Sequence, residues 1–481
     1  MGAKSQSRQI LPKTLRTLTN KQLSCRSVHC SEMPLIGESS EYLRKSNTPD
    51  QSSSPALDSQ IWSRLQPELV ARILAHLPLT ALVQTRLLNK KWDREIYSGG
   101  LLGHDEYSTH PISRSWLILF ENGFPGSPYK LQAFDPAQND WQTFTTAPHF
   151  ATAQKIGGLV LCGAASGLMV FKISAVKSHF IRFGVFNPIT RSWKKLSPLL
   201  NRRQGPVVSM FTERSSGSSK FGTGHYKLVV AGGLEYDQQV QTTEIYDSRA
   251  ECWRIACDKF NNQQSHVCDE MRTSTAFCEG AVYHMRFNRI LSFDPSRELH
   301  TFVMYDTKNS RWRPLRVPLP PDLVFTEYPS IKRVWKGRSH LADVLPPSLV
   351  ESNGRLLLVG FREDRALSTI AGIGVWELSQ RKAWKLVTMM PETLFNQMSP
   401  TVCTSAYIDP SWYLKYELQS AGHGDMVYIF QPNGGQGFVA LCDFSQSPPA
   451  WRLVRNGFVP KSECSQNLHG CVIDLRLDTL I

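Results

Sequence analysis

Two spacings of apolar residues divide the chain. Across residues 61–96, IWSRLQPELVARILAHLPLTALVQTRLLNKKWDREI, Leu69, Ile73, Leu74 and Leu77 recur at offsets of four, five and eight, one face of an α-helix. Pro78 ends that helix, and Thr80 caps a second one carrying Leu82, Arg86, Leu88, Trp92 and Ile96. A segment of 36 residues buries little apolar surface alone, so it is expected to dock on the rest of the chain or on another protein. From Ser115 onward the pattern changes to short apolar runs broken by Gly, Pro, Asn and Asp, the signature of an all-β region.

The β region repeats. A β-branched or aromatic residue is followed by Asp or a near equivalent, a short polar turn, and then Trp. FDPAQNDW ends at Trp141, FNPITRSW at Trp193, IYDSRAECW at Trp253, MYDTKNSRW at Trp312, VWELSQRKAW at Trp384 and LCDFSQSPPAW at Trp451. Spacings of 52, 60, 59, 72 and 67 residues, near the ~50-residue period of kelch repeats, predict a six-bladed β-propeller. The polar turn makes a hairpin in which Asp or Asn satisfies local backbone donors. The Trp then begins the next strand and fills space between neighbouring blades. Units two to six each show upstream strands that, with the Trp strand, make four per blade. Unit one shows only SWLILF, YKLQAFD and WQTF, one strand fewer. At the other end of the chain, CVIDLRLDTL alternates Ile473, Leu475 and Leu477 with Asp474, Arg476 and Asp478. This segment is predicted to complete the first blade and close the ring, removing an exposed sheet edge.

The helical segment resembles the F-box. Leu65, Glu68, Leu69, Ile73, Leu74, Leu77, Pro78, Leu82, Arg86, Lys90 and Trp92 match that family's pattern. Gln66 stands where Pro is usual, with Pro67 one place late; Leu88 replaces Val, and Asn89 replaces Cys. The resemblance implies docking on a Skp-type adaptor, and through it on a cullin ubiquitin ligase, by helix-in-groove recognition. The adaptor-binding set it implies is Leu65, Pro67, Leu69, Ile73, Leu77, Pro78, Leu82, Arg86, Leu88 and Trp92. An F-box followed by degenerate kelch-like blades resembles the plant F-box/kelch-repeat proteins, and GLVLCGAASGLMVF, FNPITRSWKKL and SLVESNGRLLLVGF carry most of that likeness. The expectation is an α+β multidomain chain: a disordered basic segment over 1–57, a small helical F-box over 58–98, a connector over 99–114, and a six-bladed kelch-type β-propeller over 115–481 closed by the C-terminal strand. The family implies a non-catalytic substrate-recognition subunit of a Skp–cullin–F-box ubiquitin ligase, acting in the nucleus or the cytoplasm. The alternative is a non-degradative interaction scaffold or transcriptional co-regulator that uses the propeller surface.

Composition narrows the chemistry. Of 481 residues, 41% are apolar and 10% aromatic, a globular balance, and no apolar run approaches the ~18 residues of a spanning helix. The 11 cysteines include no Cys-x-x-Cys pair and fit free thiols in a reducing compartment. The clusters Cys25/His29/Cys30 and Cys252/Cys257/His266/Cys268 lack the paired short spacing of a zinc finger, so no metal is expected. The net charge of +13 divides as +4 over 1–57, +2 over 58–98 and +7 over the remainder. An excess so spread favours acidic partners without marking a nucleic-acid module. The first 31 residues hold six basic and no acidic residues, which is also the composition of an organelle transit peptide. The start MGAKSQS fails the myristoylation pattern at Gln6. No P-loop, nucleophile elbow, His-Glu-x-x-His or dinucleotide fingerprint occurs, and no cofactor is expected.

Partner contacts are expected on two loop insertions of the propeller. Residues 200–225 place Arg202, Arg203 and Phe211 among flexible Gly and Ser; residues 318–347 carry Phe325, Tyr328, Lys332, Arg333, Trp335, Lys336 and Arg338. Aromatic plus Arg is the composition of interface hot spots. The expected substrate-binding set is Arg202, Arg203, Phe325, Tyr328, Arg333, Trp335 and Arg338, facing an acidic or phosphorylated protein.

Overall fold

Each of the six marker tryptophans is the first or second residue of the outermost strand of a blade, and the six blades form a ring. The computed structural model describes residues 65–75, 77, 85, 115–122, 129–144, 158–175, 178–212, 225–235, 238–257, 273–287, 300–324, 332–335, 338–344, 346–364, 369–380, 382–398, 414–432, 437–456 and 467–474. From the centre outward, blade one is Asn467–Asp474, Ser115–Asn122, Lys130–Asp135 and Asp140–Phe144. Blade two is Leu159–Ala165, Leu168–Ala175, Ser178–Phe186 and Trp193–Lys195. Blade three is Val207–Thr212, Tyr226–Ala231, Thr243–Asp247 and Cys252–Cys257. Blade four is Thr273–Cys278, Ala281–Phe287, His300–Asp306 and Arg311–Pro314. Blade five is Ser348–Ser352, Arg355–Asp364, Thr369–Leu378 and Trp384–Met389; blade six is Gln419–His423, Met426–Phe430, Phe438–Asp443 and Ala450–Arg455. The first-named strand of every blade touches the first-named strands of its two neighbours, which closes the ring.

The repeat motif works as its chemistry predicts. Asp135 Oδ1 accepts the Ala137 N–H at 2.8 Å, Asn187 Oδ1 the Ile189 N–H at 2.9 Å, Asp247 Oδ1 the Arg249 N–H at 2.9 Å, and Asp443 Oδ1 the Ser445 N–H at 2.9 Å. These are Asx turns, and each folds the third strand of its blade back into the fourth. Two residues before the Trp, the chain takes a left-handed conformation in five of the blades, with φ of 55° at Asn139, 56° at Arg191, 52° at Glu251, 49° at Ser310 and 57° at Lys382. The Trp then stands opposite an aromatic of the third strand: Phe134 faces Trp141, Tyr246 faces Trp253 and Tyr305 faces Trp312, with ring centroids 5.0–5.3 Å apart.

Three of the marker indoles also tie neighbouring blades together. Trp253 Nε1 donates to Ser197 O of blade two's exit at 2.8 Å, Trp312 Nε1 to Thr243 Oγ1 of blade three at 2.8 Å, and Trp451 Nε1 to Thr388 Oγ1 of blade five at 2.9 Å. In each case the tryptophan reaches back to the preceding blade. The apolar core is correspondingly divided among the seams. Leu168, Val170 and Phe183 of blade two meet Met210, Leu228 and Trp253 of blade three; Leu117, Leu119 and Phe134 of blade one meet Tyr428, Phe430 and Leu441 of blade six.

Blade one joins the two ends of the ring. Its innermost strand pairs antiparallel with Ser115–Asn122 from Ser115 opposite Asp474 to Asn122 opposite Asn467. The closing strand therefore begins four residues before the segment predicted from alternation; Leu475 and Leu477 lie outside the described residues. Ser115 Oγ donates to Asp474 Oδ1 at 2.7 Å, and His423 Nε2 of blade six lies 3.3 Å from Asp474 Oδ2. The packing is tight enough that a Cβ on Gly470 would stand 2.4 Å from Phe430 Cζ.

Between blades four, five and six the linkers carry structure of their own. Leu323–Val324 extends blade five by pairing with Arg355–Asp364. A hairpin of Lys332–Trp335 and Arg338–Val344 pairs in parallel with Leu414–Tyr416 to make a three-stranded sheet outside the blades. The insertion expected to be a loop over 318–347 therefore contains three strands among its described residues. A short helix, Glu392–Met398, buries Phe395 and Met398 in the seam between blades five and six.

Candidate docking surfaces

One helix of the predicted F-box lies within the described residues. We label it α1, Pro67–Ala75, and it forms part of the same compact unit as the propeller, residues 65–481. Pro67 occupies the first turn, where its missing N–H costs nothing, and Glu68 there complements the helix dipole. Leu74 is 1% exposed and enters the apolar cluster shared by blades one and two, with Val70 and Leu77 packed half-buried against it. On the other side Leu69 and Ile73, one turn apart, are 45% and 37% exposed. Leu65 is half-buried, and Glu68 and Arg72 are exposed.

This separates the residues that sequence reasoning had joined. Leu69 and Ile73 form an uncovered apolar stripe, the feature that groove-binding helices use as anchors. Leu77 belongs to the opposite side and rests on the propeller. The side chain of Pro67, and Pro78, Leu82, Arg86, Leu88 and Trp92 altogether, lie outside the described residues.

The propeller side divides as well. In a meander of four antiparallel strands, the marker turns fall on one face of the ring and the blade-to-blade linkers on the other. The extra sheet and the Glu392–Met398 helix both belong to linkers, so both lie on the second face. Arg333 and Trp335 sit on the first strand of the extra hairpin, and Trp335 pairs in register with Arg338 on the second. Phe325 and Tyr328 lie outside the described residues. The positive charge of the chain is less evenly spread than its regional totals suggest. Residues 307–344 hold Lys308, Arg311, Arg313, Arg316, Lys332, Arg333, Lys336 and Arg338 against Asp322, Glu327 and Asp343, a net +5 out of +13. Asp322 is held by Arg362 at 2.6 Å, which leaves the stretch still more basic toward solvent.

The first insertion behaves differently. Phe211 lies inside blade three's innermost strand, buried and stacked on Phe277 with centroids 4.6 Å apart. Arg202 is exposed, but Arg203 points inward and its side chain is fully buried. Its guanidinium donates to Gly232 O at 3.1 Å, Thr242 O at 2.9 Å and Thr242 Oγ1 at 3.0 Å, and pairs with the buried Glu244 carboxylate. Glu244 in turn accepts the Leu200 N–H at 2.7 Å and the Asn201 N–H at 2.9 Å. Arg203 is thus a latch that fixes the linker onto blade three. Its burial corrects the expectation that it faces a partner.

No family model matches the chain. It is 22% identical over 373 residues to the Arabidopsis thaliana protein Unusual Floral Organs, covering 72% of each chain. It is 24% identical over 349 residues to Arabidopsis F-box only protein 6, covering 72% of this chain and 62% of that protein. An Arabidopsis F-box/kelch-repeat protein aligns over 461 residues at 22% identity, covering 93% of this chain and 96% of the relative. Among solved structures, a chain of a nidogen/laminin complex covers 76% of this chain at 10% identity and a TM-score of 0.38, too loose a likeness to bear on the fold. The identities are low but agree across four curated relatives, and they make the Arabidopsis F-box/kelch-repeat proteins the homologues of this six-bladed propeller chain.

Proposed function

We propose that this chain is the substrate receptor of a Skp–cullin–F-box ubiquitin ligase. Residues 58–98 bind the adaptor, the propeller binds the substrate, and the chain itself performs no chemistry. Its contribution is proximity, holding a substrate lysine near a charged conjugating enzyme and so raising its effective concentration. The observation that carries this reading is the uncovered Leu69/Ile73 stripe on a helix whose opposite side is seated on blades one and two. A helix so placed offers an adaptor two apolar anchors without detaching from the ring. The basic bias of the propeller favours an acidic or phosphorylated substrate, and nuclear or cytoplasmic action fits such a complex.

The test is a pull-down of the full chain by a purified Skp-type adaptor, with Leu69→Ser/Ile73→Ser alongside. Wild type is expected to bind, and the double variant to lose binding while keeping the wild-type unfolding midpoint. An adaptor that ignores the wild-type chain, or binds the variant equally, overturns the reading.

A further inference from the structure

Among the described residues four large hydrophobic side chains are exposed, and they fall into two pairs. Leu69 and Ile73 belong to α1. The other pair, Leu200 at 56% and Ile255 at 48%, lies where blade two hands over to blade three. The two are far apart in sequence but share one neighbour. The Leu200 N–H is bound by the Glu244 carboxylate, and Glu244 stands directly opposite Ile255 in the register of blade three's third and fourth strands. Directly opposed residues of an antiparallel pair point to the same face.

Ile255 is unusual for its position. It lies two residues after the marker Trp253. The equivalent residues of blades five and six, Leu386 and Leu453, are also aliphatic, and both pack against the seam clusters. Blade five even has the same register shift just after Leu386 that blade three has after Ile255. Only in blade three does the aliphatic side chain remain uncovered.

The patch is rigid and its charge is one-sided. The linker runs beside blade three's outer strand, tied by Lys194–Glu251, by the Trp253 indole to Ser197 O at 2.8 Å, and by Asn201 and Leu200 to Glu244. Its two nearby acids are therefore already engaged, Glu244 with Arg203 and Glu251 with Lys194. The exposed charged residue next to Leu200, Arg202, is basic; Arg254 stands opposite Ile245 and so faces the seam with blade four, away from Ile255.

We propose that this rim, centred on Leu200 and Ile255, docks an acidic segment of a partner protein through a bulky apolar side chain. The two aliphatics take the anchor, and Arg202 meets a flanking carboxylate. Such a segment would be the substrate's recognition element, a step that rests on the receptor reading; the surface itself does not.

The experiment is selection of a phage-displayed peptide library on the full chain, followed by fluorescence anisotropy of the recovered peptides. The expected sequences carry Asp or Glu around Leu, Ile, Phe or Trp. They should bind Leu200→Ser/Ile255→Ser about tenfold more weakly or worse, as loss of an interface anchor does. They should bind Arg202→Glu more weakly too, and lose affinity as salt is raised. Both variants lie at exposed positions and should unfold at the wild-type midpoint. Recovery of no peptide, of peptides without acids, or of peptides that bind the double variant equally overturns the proposal. So does a wild-type dimer, seen by sedimentation, that the double variant abolishes, because the occupant would then be a second copy. Adaptor pull-down on the same samples separates the two claims: lost adaptor binding with peptide binding intact overturns only the receptor reading.

Discussion

Blade one and blade three hold themselves in the ring by opposite means. Blade one borrows its innermost strand from the far end of the chain, and a long antiparallel register does the holding. Blade three is continuous in sequence and fastens its incoming linker with a buried, hydrogen-bonded ion pair. The first device is global: the ends are brought together once, and every seam depends on it. The second is local, and its strength lies in the hydrogen bonds that surround the buried pair, although Arg203 Nε is left without one. The comparison teaches that a propeller of weakly similar blades can be uniform in outline and still differ, blade by blade, in what keeps each one in place.

Removing residues 467–481 tests the global device and should have the largest effect. It strips the innermost strand of blade one and uncovers Leu117, Leu119 and Phe134 in the seam with blade six. The truncated chain is expected to lose its cooperative thermal transition and to be cleaved throughout in limited proteolysis. Retention of the wild-type midpoint with only the tail lost would show that blade one does not need its closing strand.

The local device should respond in a graded way. Arg203→Leu or Glu244→Leu leaves a buried charge alone, and each should cost about 3–5 kcal/mol in denaturant unfolding. The double variant should cost clearly less than the sum. It will not be neutral, because the Leu200 and Asn201 N–H groups lose their acceptor. A strictly additive double mutant would mean that the pair is not coupled.

Blade three's other seam supplies a pH effect. His284 of blade four is 2% exposed there, and burial followed by the neighbouring Arg286 charge brings its imidazole down from 6.5 to about 3. The folded state then binds fewer protons than the unfolded state between those values, so stability falls as pH falls below about 6.5. The expected slope is about 1.4 kcal/mol per pH unit. His284→Gln should remove this contribution, so the stability advantage of wild type over the variant should shrink steadily from neutral pH to about pH 4. A difference that does not change with pH would show that His284 titrates normally in the fold.

Much of this architecture was legible because the repeat announces itself. Each Asp or Asn sits where a turn must satisfy backbone donors, and each Trp opens an outer strand, so six motifs count six blades. Alternation after Gly470 revealed the closing strand but not its beginning, since Leu468, buried at 0%, lies in a polar sequence context. The Arg203 latch was illegible for a physical reason. Its partner Glu244 is 41 positions away, and the flanking Gly and Ser made the whole stretch look like solvent-facing loop. The same holds for α1, which is apolar on two sides; only tertiary packing says that Leu74 turns inward while Leu69 and Ile73 do not. Nothing in the sequence sets Leu200 or Ile255 apart from other aliphatics; only their exposure does.

The smallest prediction compares the marker turns of the same two blades. Blade one places Asn139 at the left-handed position and blade three places Glu251. Asn tolerates that conformation through its short polar side chain, whereas Glu pays a Cβ clash of about 1 kcal/mol. Glu251→Gly should therefore stabilise by up to about 1 kcal/mol, reduced by the flexibility glycine adds to the unfolded chain. The Lys194 ion pair it removes involves two partly exposed side chains and offsets little of that gain. Asn139→Gly should bring no gain, because Asn139 Oδ1 also accepts from Arg452 Nη1 at 2.7 Å across the seam with blade six. Denaturant midpoints of the two variants, measured side by side, should therefore move apart, with Glu251→Gly above wild type and Asn139→Gly at or below it. Equal shifts would mean that turn strain does not distinguish the two blades.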